Sequence, residues 1–232
     1  MMTLYIANKN YSSWSLRPWV LMRELNIAFE EKLFPFEEGS SWDTFRTFSP
    51  SGKVPCLADG DTTLWDSMGI AEYLAEQHPQ VWPADAAARA WARCAAAEMH
   101  AGFGTLRDVC SMNVGLRIRL HDMSAALQRD LHRLDELWTE GLTRFGGPFL
   151  AGSKFTNVDA FFAPVAFRIQ TYGLPLSGPA QEYAGTLLAL ESMQQWERES
   201  LLEPWLDEEH EALVEVYGTR VSDLRTGTQS GK

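Results

Sequence analysis

Cysteine is scarce in this sequence, and the three residues present, Cys56, Cys94 and Cys110, stand far apart. No pair has the C-x-x-C spacing of a redox or zinc site, and three scattered thiols cannot make a disulfide framework. We therefore expect a reducing, cytoplasmic environment and no bound metal. Because 45% of the 232 residues are hydrophobic, the chain can bury a substantial core without disulfide bonds.

Long apolar runs and an excess of basic charge are missing as well. No uninterrupted apolar stretch reaches the about 18 residues that suggest a membrane span, and the first residues do not resemble a secretory signal. We expect neither membrane insertion nor secretion. The formal charge of −11 argues against a nucleic-acid partner, because phosphate binding needs an excess of Lys and Arg. A small anion can still bind where a few cations and backbone N–H groups are concentrated.

The first third of the chain alternates between strand and helix patterns. A strand-helix-strand order favours a parallel strand pair, and the later Asp59-Gly60-Asp61 separates two short runs as a hairpin turn does. The pattern predicts a small sheet of mixed direction packed by helices. Strands are expected at residues 3–7, 29–34, 54–58 and 62–65, and helices at residues 15–25 and from Ser67 onward.

The sequence shows no strand pattern after residue 84, where an Ala-rich segment favours a long helix. Thr156 and Asp159 have the spacing of a reciprocal cap at the start of a later helix. The expected helices are at residues 85–119, 123–143, 157–171, 181–189 and 191–205.

Two domains follow from these patterns. The first is mixed α/β and the second is all-α, and the Gly/Thr/Ser-rich end of the chain is expected to be a frayed tail. The expected ranges are 1–80 for the first domain, 85–217 for the second and 218–232 for the tail.

Four local patterns carry a family resemblance. They are Ser12-Ser13-Trp14-Ser15-Leu16-Arg17, Ser49-Pro50-Ser51-Gly52-Lys53-Val54-Pro55-Cys56-Leu57, Asp66-Ser67 at a helix start, and Thr156-Asn157-Val158-Asp159. Together they resemble the glutathione transferase superfamily, and the first is similar to the serine motif of its zeta class. The resemblance implies a thioredoxin-like N-terminal domain, an all-α C-terminal domain and a homodimer. It also implies that glutathione is the co-substrate and that the second substrate is a small electrophile.

The resemblance assigns the catalytic role to Ser12, which would stabilise the glutathione thiolate. A thiol with a pKa of about 8.5 is only a few per cent ionised at neutral pH. Lowering it by about two units takes roughly 2.7 kcal/mol of preferential thiolate stabilisation, which a hydroxyl and a helix N-terminus can supply. Simple helix capping by Ser12, Ser13 or Ser15 is an alternative. A tyrosine mechanism through Tyr11 is another.

The other glutathione-binding residues implied by the resemblance are Ser13, Trp14, Lys53, Val54, Pro55, Asp66 and Ser67. A cis bond at Pro55 would turn the Val54 backbone toward the peptide-like ligand, although a trans proline that begins a strand fits the sequence equally well. Asp66 and Ser67 would present a helix N-terminus to the γ-glutamyl group, a role compatible with a plain N-cap. Lys53 is a candidate for the glycyl carboxylate, or else a solvated turn residue.

The electrophile is expected between the two domains, where the resemblance points to Phe103, Arg107 and Met112. Burial in the core would explain Phe103 and Met112 equally well, and Arg107 could be a surface charge. Arg107 could also attract an anionic electrophile. The expected activity is glutathione conjugation or glutathione-dependent isomerisation in detoxification. A non-catalytic binding or regulatory module and a glutathione-dependent peroxidase remain open alternatives.

Overall fold

The computed structural model describes residues 1–226 and begins with a four-stranded sheet. Strands β1 and β2 are parallel, as the strand-helix-strand order predicts, and β3 runs antiparallel to both β1 and β4. The strand order across the sheet is β2-β1-β3-β4. The strands are β1 (Met2–Ile6), β2 (Phe29–Leu33), β3 (Cys56–Asp59) and β4 (Thr62–Leu64).

Helices dominate the rest of the chain, so the expected mixed sheet followed by a helical region is confirmed. A short 3-10 turn, Pro79–Val81, precedes the helical region. Within residues 1–226, no helix combines the length and the apolar character needed to cross a membrane. The helices are α1 (Ser13–Glu24), α2 (Trp42–Arg46), α3 (Ser67–Gln77), α4 (Ala86–Ala101), α5 (Gly104–Val109), α6 (Ala125–Phe145), α7 (Asn157–Tyr172), α8 (Gly178–Leu188), α9 (Glu191–Leu201) and α10 (Glu208–Tyr217).

Helix α7 is the centre of the helical region, and nearly all of its residues are buried. It packs against α1, α4 and α8, so it joins the helix after β1 to the rest of the fold. The reciprocal cap predicted at its start is present: Asp159 accepts the Thr156 N–H at 2.9 Å. Asp159 also accepts the Leu150 N–H at 3.0 Å and the Tyr183 hydroxyl at 2.9 Å, while its burial raises its pKa to about 6.

The single helix expected at residues 85–119 is wrong, because the chain turns at Phe103. This residue adopts a left-handed φ of 55°, and α4 and α5 lie on either side of the turn. Gly102 allows the turn: a Cβ on it would lie 2.7 Å from the Glu98 carbonyl oxygen. The sequence pattern misses the break because a lone glycine does not interrupt a helical pattern of apolar residues.

The expected absence of strands after residue 84 is also wrong, and so is the frayed tail beginning at residue 218. Leu116–Leu120 (β5) pairs antiparallel with Gly218–Asp223 (β6), and the Leu224 N–H donates to the Gly115 carbonyl at 2.9 Å. The backbone of the polar tail is thus held by a partner strand about 100 residues away along the chain. Residues 227–232 of the expected tail lie outside the described residues. The domain boundaries themselves stay a prediction.

Candidate functional site

The N-terminus of α1 is not capped by the side chain of Ser12, which precedes it. Ser12 is 4% exposed, and its Oγ donates instead to the Ser15 Oγ at 2.7 Å. Ser15 Oγ in turn accepts the Ala7 N–H at 3.2 Å, which ties the helix to the end of β1. The capping alternative for Ser12 is therefore not what the structure shows. Within the described chain, the first N–H groups of α1 have no side-chain acceptor.

A cavity of about 1010 Å3 lies beside this helix start. One wall comes from the sheet-containing part of the chain and the opposite wall from the helical region. The residues predicted from the sequence that line it are Ser12, Ser13, Trp14, Lys53, Val54, Arg107 and Met112. The predicted residues outside its lining are Pro55, Asp66, Ser67 and Phe103. The cavity thus gathers most, but not all, of the expected site.

The turn before β3 forms part of the first wall. The Val54-Pro55 peptide is cis, so of the two isomers compatible with the sequence the structure has this one. Gly52 has a positive φ of 63°, and a Cβ on it would come within 2.4 Å of the Trp42 ring. Lys53 is exposed at the same turn. The turn therefore presents backbone and one cation to the cavity.

The start of α3 lies next to this cavity, without lining it. Asp66 is the N-cap of α3 and accepts the Met68 N–H at 2.9 Å. Its other oxygen lies 3.3 Å from His100 Nε2, and the His100 ring contacts Trp14 at 5.2 Å between centroids. Ser67 is 1% exposed, and its hydroxyl has no hydrogen-bond partner within residues 1–226. Asp66 is thus linked to the cavity wall through His100, whose ring contacts Trp14.

Two predicted electrophile residues belong to the core. Met112 is 1% exposed and reaches the cavity lining, whereas Phe103 is buried at the turn between α4 and α5 and does not line the cavity. Arg107 is half-buried on α5 and lines the cavity. Arg107 and Met112 thus line the cavity and Phe103 does not, while the contact of Arg107 and Met112 with an electrophile stays a prediction.

Tyr11 lines the cavity, but its hydroxyl is engaged elsewhere. It donates to Glu211 Oε1 at 2.8 Å and accepts from Arg225 Nη1 at 3.0 Å. Burial, together with the charge of Glu211, raises the pKa of Tyr11 well above its usual value. A hydroxyl committed to a carboxylate is poorly placed to donate to a thiolate, so the geometry disfavours the tyrosine mechanism. Tyr11 instead ties the loop before α1 to α10 and the segment after β6.

Two buried arginines near the cavity were not considered in the sequence prediction. Arg17, 2% exposed, lies between the Trp14 ring at 4.0 Å and the Phe161 ring at 4.7 Å. Arg168 on α7 is 4% exposed and lines the cavity. Two features of the sequence point to these residues. Arg17 ends the serine motif, and Arg168 is a charged residue within the apolar run of α7.

Acidic residues surround the cavity mouth. Asp207 caps α10, and its Oδ2 lies 2.5 Å from Nδ1 of His210, which lines the cavity. Glu208 and Glu209 are exposed beside it. The sequence prediction missed these residues because it placed no helix here. Among residues 1–226 there is no group of three or more His, Cys, Asp or Glu side chains that could hold a metal ion.

Comparisons with known proteins agree with the fold. The family model for the glutathione S-transferase N-terminal domain matches residues 11–77. The chain is 25% identical to the glutathione S-transferase-like protein OpS6 of Beauveria bassiana, covering 78% of this chain and 84% of that protein. It is 24% identical to a stringent starvation protein A homolog of Haemophilus ducreyi, covering 74% of this chain and 81% of that protein.

A solved structure of a glutathione transferase homolog from Burkholderia GL BGR1, with bound glutathione, is similar in fold. The TM-score is 0.63 at 24% sequence identity, and the match covers 86% of this chain and 97% of that one. The family match includes the start of α1, the Val-Pro turn and α3. On these grounds residues 11–77 match the glutathione S-transferase N-terminal domain family, and the chain has the glutathione transferase fold.

Proposed function

We propose that this protein is a glutathione transferase that activates the thiol of glutathione at the N-terminus of α1. The observation that carries the proposal is a helix start that no side chain of the described residues caps, next to Ser12 and Ser13, on the wall of a large cavity. Free N–H donors and the positive end of the helix dipole favour a negative charge at this place. A thiolate is such a charge.

Ser12 is the residue that would contact the sulfur. The thiol proton passes to solvent, and the Ser12 hydroxyl donates to the resulting thiolate. The hydrogen between Ser12 and Ser15 must then point from Ser15 to Ser12, which requires only rotation of two hydroxyl groups across their 2.7 Å contact. Ser15 keeps its bond from the Ala7 N–H in either arrangement. The thiolate next attacks the electrophile, for conjugation or as the first step of an isomerisation.

The rest of the tripeptide would occupy the wall formed by the sheet-containing part of the chain. Val54 offers its backbone to the peptide-like ligand, Lys53 its ammonium to the glycyl carboxylate, and Ser13 and Trp14 their backbone at the helix start. Asp66 and Ser67 receive the γ-glutamyl group. The buried Ser67 hydroxyl without a partner supports this assignment, because such a group gains from a ligand bond.

The thiol pKa of bound glutathione tests the proposal. It is measured from the ultraviolet absorbance of the thiolate as a function of pH, in the wild type and in Ser12→Ala. Loss of the hydroxyl bond should raise the pKa by about one unit, equivalent to about 1.4 kcal/mol. The matched control is Ser13→Ala, which removes a hydroxyl from the neighbouring position. An unchanged pKa in Ser12→Ala would remove Ser12 from the mechanism.

A non-catalytic glutathione-binding module is the second candidate, and one observation favours it. Ser12 is nearly inaccessible, and its hydroxyl is already bonded to Ser15. Retention on immobilised glutathione without turnover of a broad panel of electrophiles would establish this alternative. The panel must include a hydroperoxide, because peroxide reduction needs only the same thiolate and a small pocket.

A cytoplasmic location, a homodimer and a role in detoxification belong to the same proposal. Free cysteines support the first, since Cys56 and Cys110 are buried as thiols and Cys94 is exposed. The homodimer rests on the resemblance alone. Analytical ultracentrifugation at micromolar concentration tests it, and a single monomeric species would overturn it.

A further inference from the structure

Two arginines that line the cavity, Arg107 and Arg168, and a third behind its wall, Arg17, have no carboxylate partner among the described residues. The guanidinium of Arg17 lies 4.0 Å from the Trp14 ring and that of Arg107 lies 5.6 Å from it, while Arg168 lines the cavity wall. Within residues 1–226, none of the three forms a salt bridge. Buried charges are normally paired, so this group is unusual in a chain of net charge −11.

The positive charges affect one another. Burial and the neighbouring Arg168 and Arg107 lower the pKa of Arg17 to about 9, and burial and Arg107 help lower that of Arg168 to about 10. Asp66 opposes the effect on Arg17, but this carboxylate already caps α3 and lies beside His100. The arginines therefore have a shared excess of positive charge that one bound anion would relieve.

The hydrogen bonds of Arg107 and Arg168 fix the positions of these side chains without neutralising their charges. Arg168 donates from Nε to the Cys110 carbonyl at 2.8 Å and from Nη1 to the Pro164 carbonyl at 3.3 Å. Arg107 donates from Nη1 to the His100 carbonyl at 3.3 Å. Because backbone carbonyls are neutral, they hold a guanidinium group in place without cancelling its positive charge. The remaining N–H groups of these two arginines are therefore held in fixed positions from which they can donate to a ligand.

The carboxylates at the cavity mouth repel an anion and the arginines attract it. Which effect is stronger depends on how exposed each group is to solvent. Glu37, Glu38, Asp108, Glu208 and Glu209 line the cavity and are all exposed, so water and salt screen them over a Debye length of about 8 Å. Arg168 is buried, where screening is much weaker. A ligand with its charge at the inner end and a neutral part toward the mouth fits this arrangement.

We propose that Arg107 and Arg168 bind a carboxylate of the second substrate, so that the protein acts on small carboxylate-bearing electrophiles. Arg17, behind Trp14, adds positive potential to this subsite. Guanidinium groups match a carboxylate through paired N–H donors, which a lysine does not. The inference rests on the proposed function for the glutathione half of the site. It adds the chemical class of the other substrate.

A matched pair of probes isolates the carboxylate. With 4-(bromomethyl)benzoate, the thiolate attacks the benzylic carbon, an S–C bond forms, the C–Br bond breaks and bromide leaves. The methyl ester undergoes the same displacement without the negative charge. The products are S-(4-carboxybenzyl)glutathione and its benzoate methyl ester. Both are stable, so their binding can be measured without turnover.

Calorimetric titration of both conjugates into the full-length protein tests the proposal. The wild type should bind the carboxylate conjugate at least tenfold more tightly than the ester conjugate, a difference of about 1.4 kcal/mol. Arg107→Gln should reduce this ratio to about twofold, with the affinity for the ester conjugate nearly unchanged. Arg129→Gln is the matched control, because Arg129 is an exposed arginine on α6, and it should keep the wild-type ratio.

Equal binding of the two conjugates by the wild type would overturn the carboxylate subsite and leave the glutathione site standing. An unchanged ratio in Arg107→Gln would overturn it as well. Failure of both conjugates to bind would instead overturn the proposed glutathione site and this inference with it. Arg168→Lys is the second variant: it keeps a buried charge and loses the paired donors, so it should lower the ratio while the protein stays folded, as checked by circular dichroism.

Discussion

The N-termini of α7 and α1 are built in opposite ways. At α7, Asp159 is completely buried and accepts hydrogen bonds from Thr156, Leu150 and Tyr183. At α1, the described chain provides no side-chain cap, and the Ser12 hydroxyl turns to Ser15. The start of α7 is enclosed by protein, where an unpaired N–H is costly, whereas the start of α1 borders a cavity.

The difference shows where residues of the chain accept the hydrogen bonds of a helix N-terminus and where these N–H groups are left to water or a ligand. A helix end inside the core must be satisfied by residues of the chain, since water cannot reach it. An uncapped end at a cavity is a stable arrangement only because water or an anion can occupy it. This makes the start of α1 the strongest candidate for a binding site, and the start of α7 a structural support for it.

The largest expected effect is on the enclosed side of this comparison. Asp159→Ala would leave four buried donors without an acceptor, and the free energy of unfolding should fall by about 3 kcal/mol or more. Asp85→Ala is the control, because Asp85 is an exposed N-cap of α4 with one bond, from the Ala88 N–H at 2.8 Å. It should cost about 1 kcal/mol. Urea unfolding measures both; equal losses would contradict the distinction between enclosed and exposed caps.

A smaller effect is expected behind the uncapped helix start, in the loop that leads to Ser12. The buried Glu203 carboxylate accepts the Lys9 N–H at 2.6 Å and the Asn10 N–H at 3.1 Å. Its burial raises its pKa to about 7, above the value of about 4.3 for an unfolded glutamate. The folded chain therefore retains this proton between about pH 4.3 and about pH 7, and the contribution of Glu203 to stability declines as the pH rises through that window.

Glu203→Gln should remove this pH dependence. We expect the loss of unfolding free energy between pH 5 and pH 7.5 to be smaller in the variant than in the wild type, by about 1 to 2 kcal/mol. Urea unfolding at several pH values measures it. Carboxylates whose pKa is lowered, such as Glu211 and Asp223, lose their contribution at lower pH and affect both proteins equally. Parallel pH profiles would show that Glu203 has the same pKa in both states.

The features that could be predicted from the sequence have local signals. The Asp59-Gly60-Asp61 turn gives the β3-β4 hairpin, and the three-residue spacing of Thr156 and Asp159 gives the cap of α7. The Val54-Pro55 turn and the serines before α1 were recognised from short motifs in the same way. Each of these features depends on neighbours within a few residues.

The strand β6 and the arginine group, which the sequence does not predict, depend on contacts far apart in sequence. β6 is polar and weakly patterned, and it is a strand only because β5 supplies its hydrogen bonds. Arg17 and Arg168 come from different halves of the chain and meet only through the packing of α1 on α7. No spacing rule relates positions about 150 residues apart. The charged part of the candidate site therefore required the structure.

The smallest expected effect distinguishes a structural role from a catalytic role for the serines at the start of α1. In Ser15→Ala the Ala7 N–H loses its acceptor, so the free energy of unfolding should fall by about 1 kcal/mol, whereas Ser12→Ala leaves that bond intact and should change stability less. Ser15 would also orient the Ser12 hydroxyl toward the sulfur, so its loss should raise the thiol pKa of bound glutathione by less than Ser12→Ala does. A loss of stability with a wild-type thiol pKa would show that Ser15 only holds β1 and α1 together.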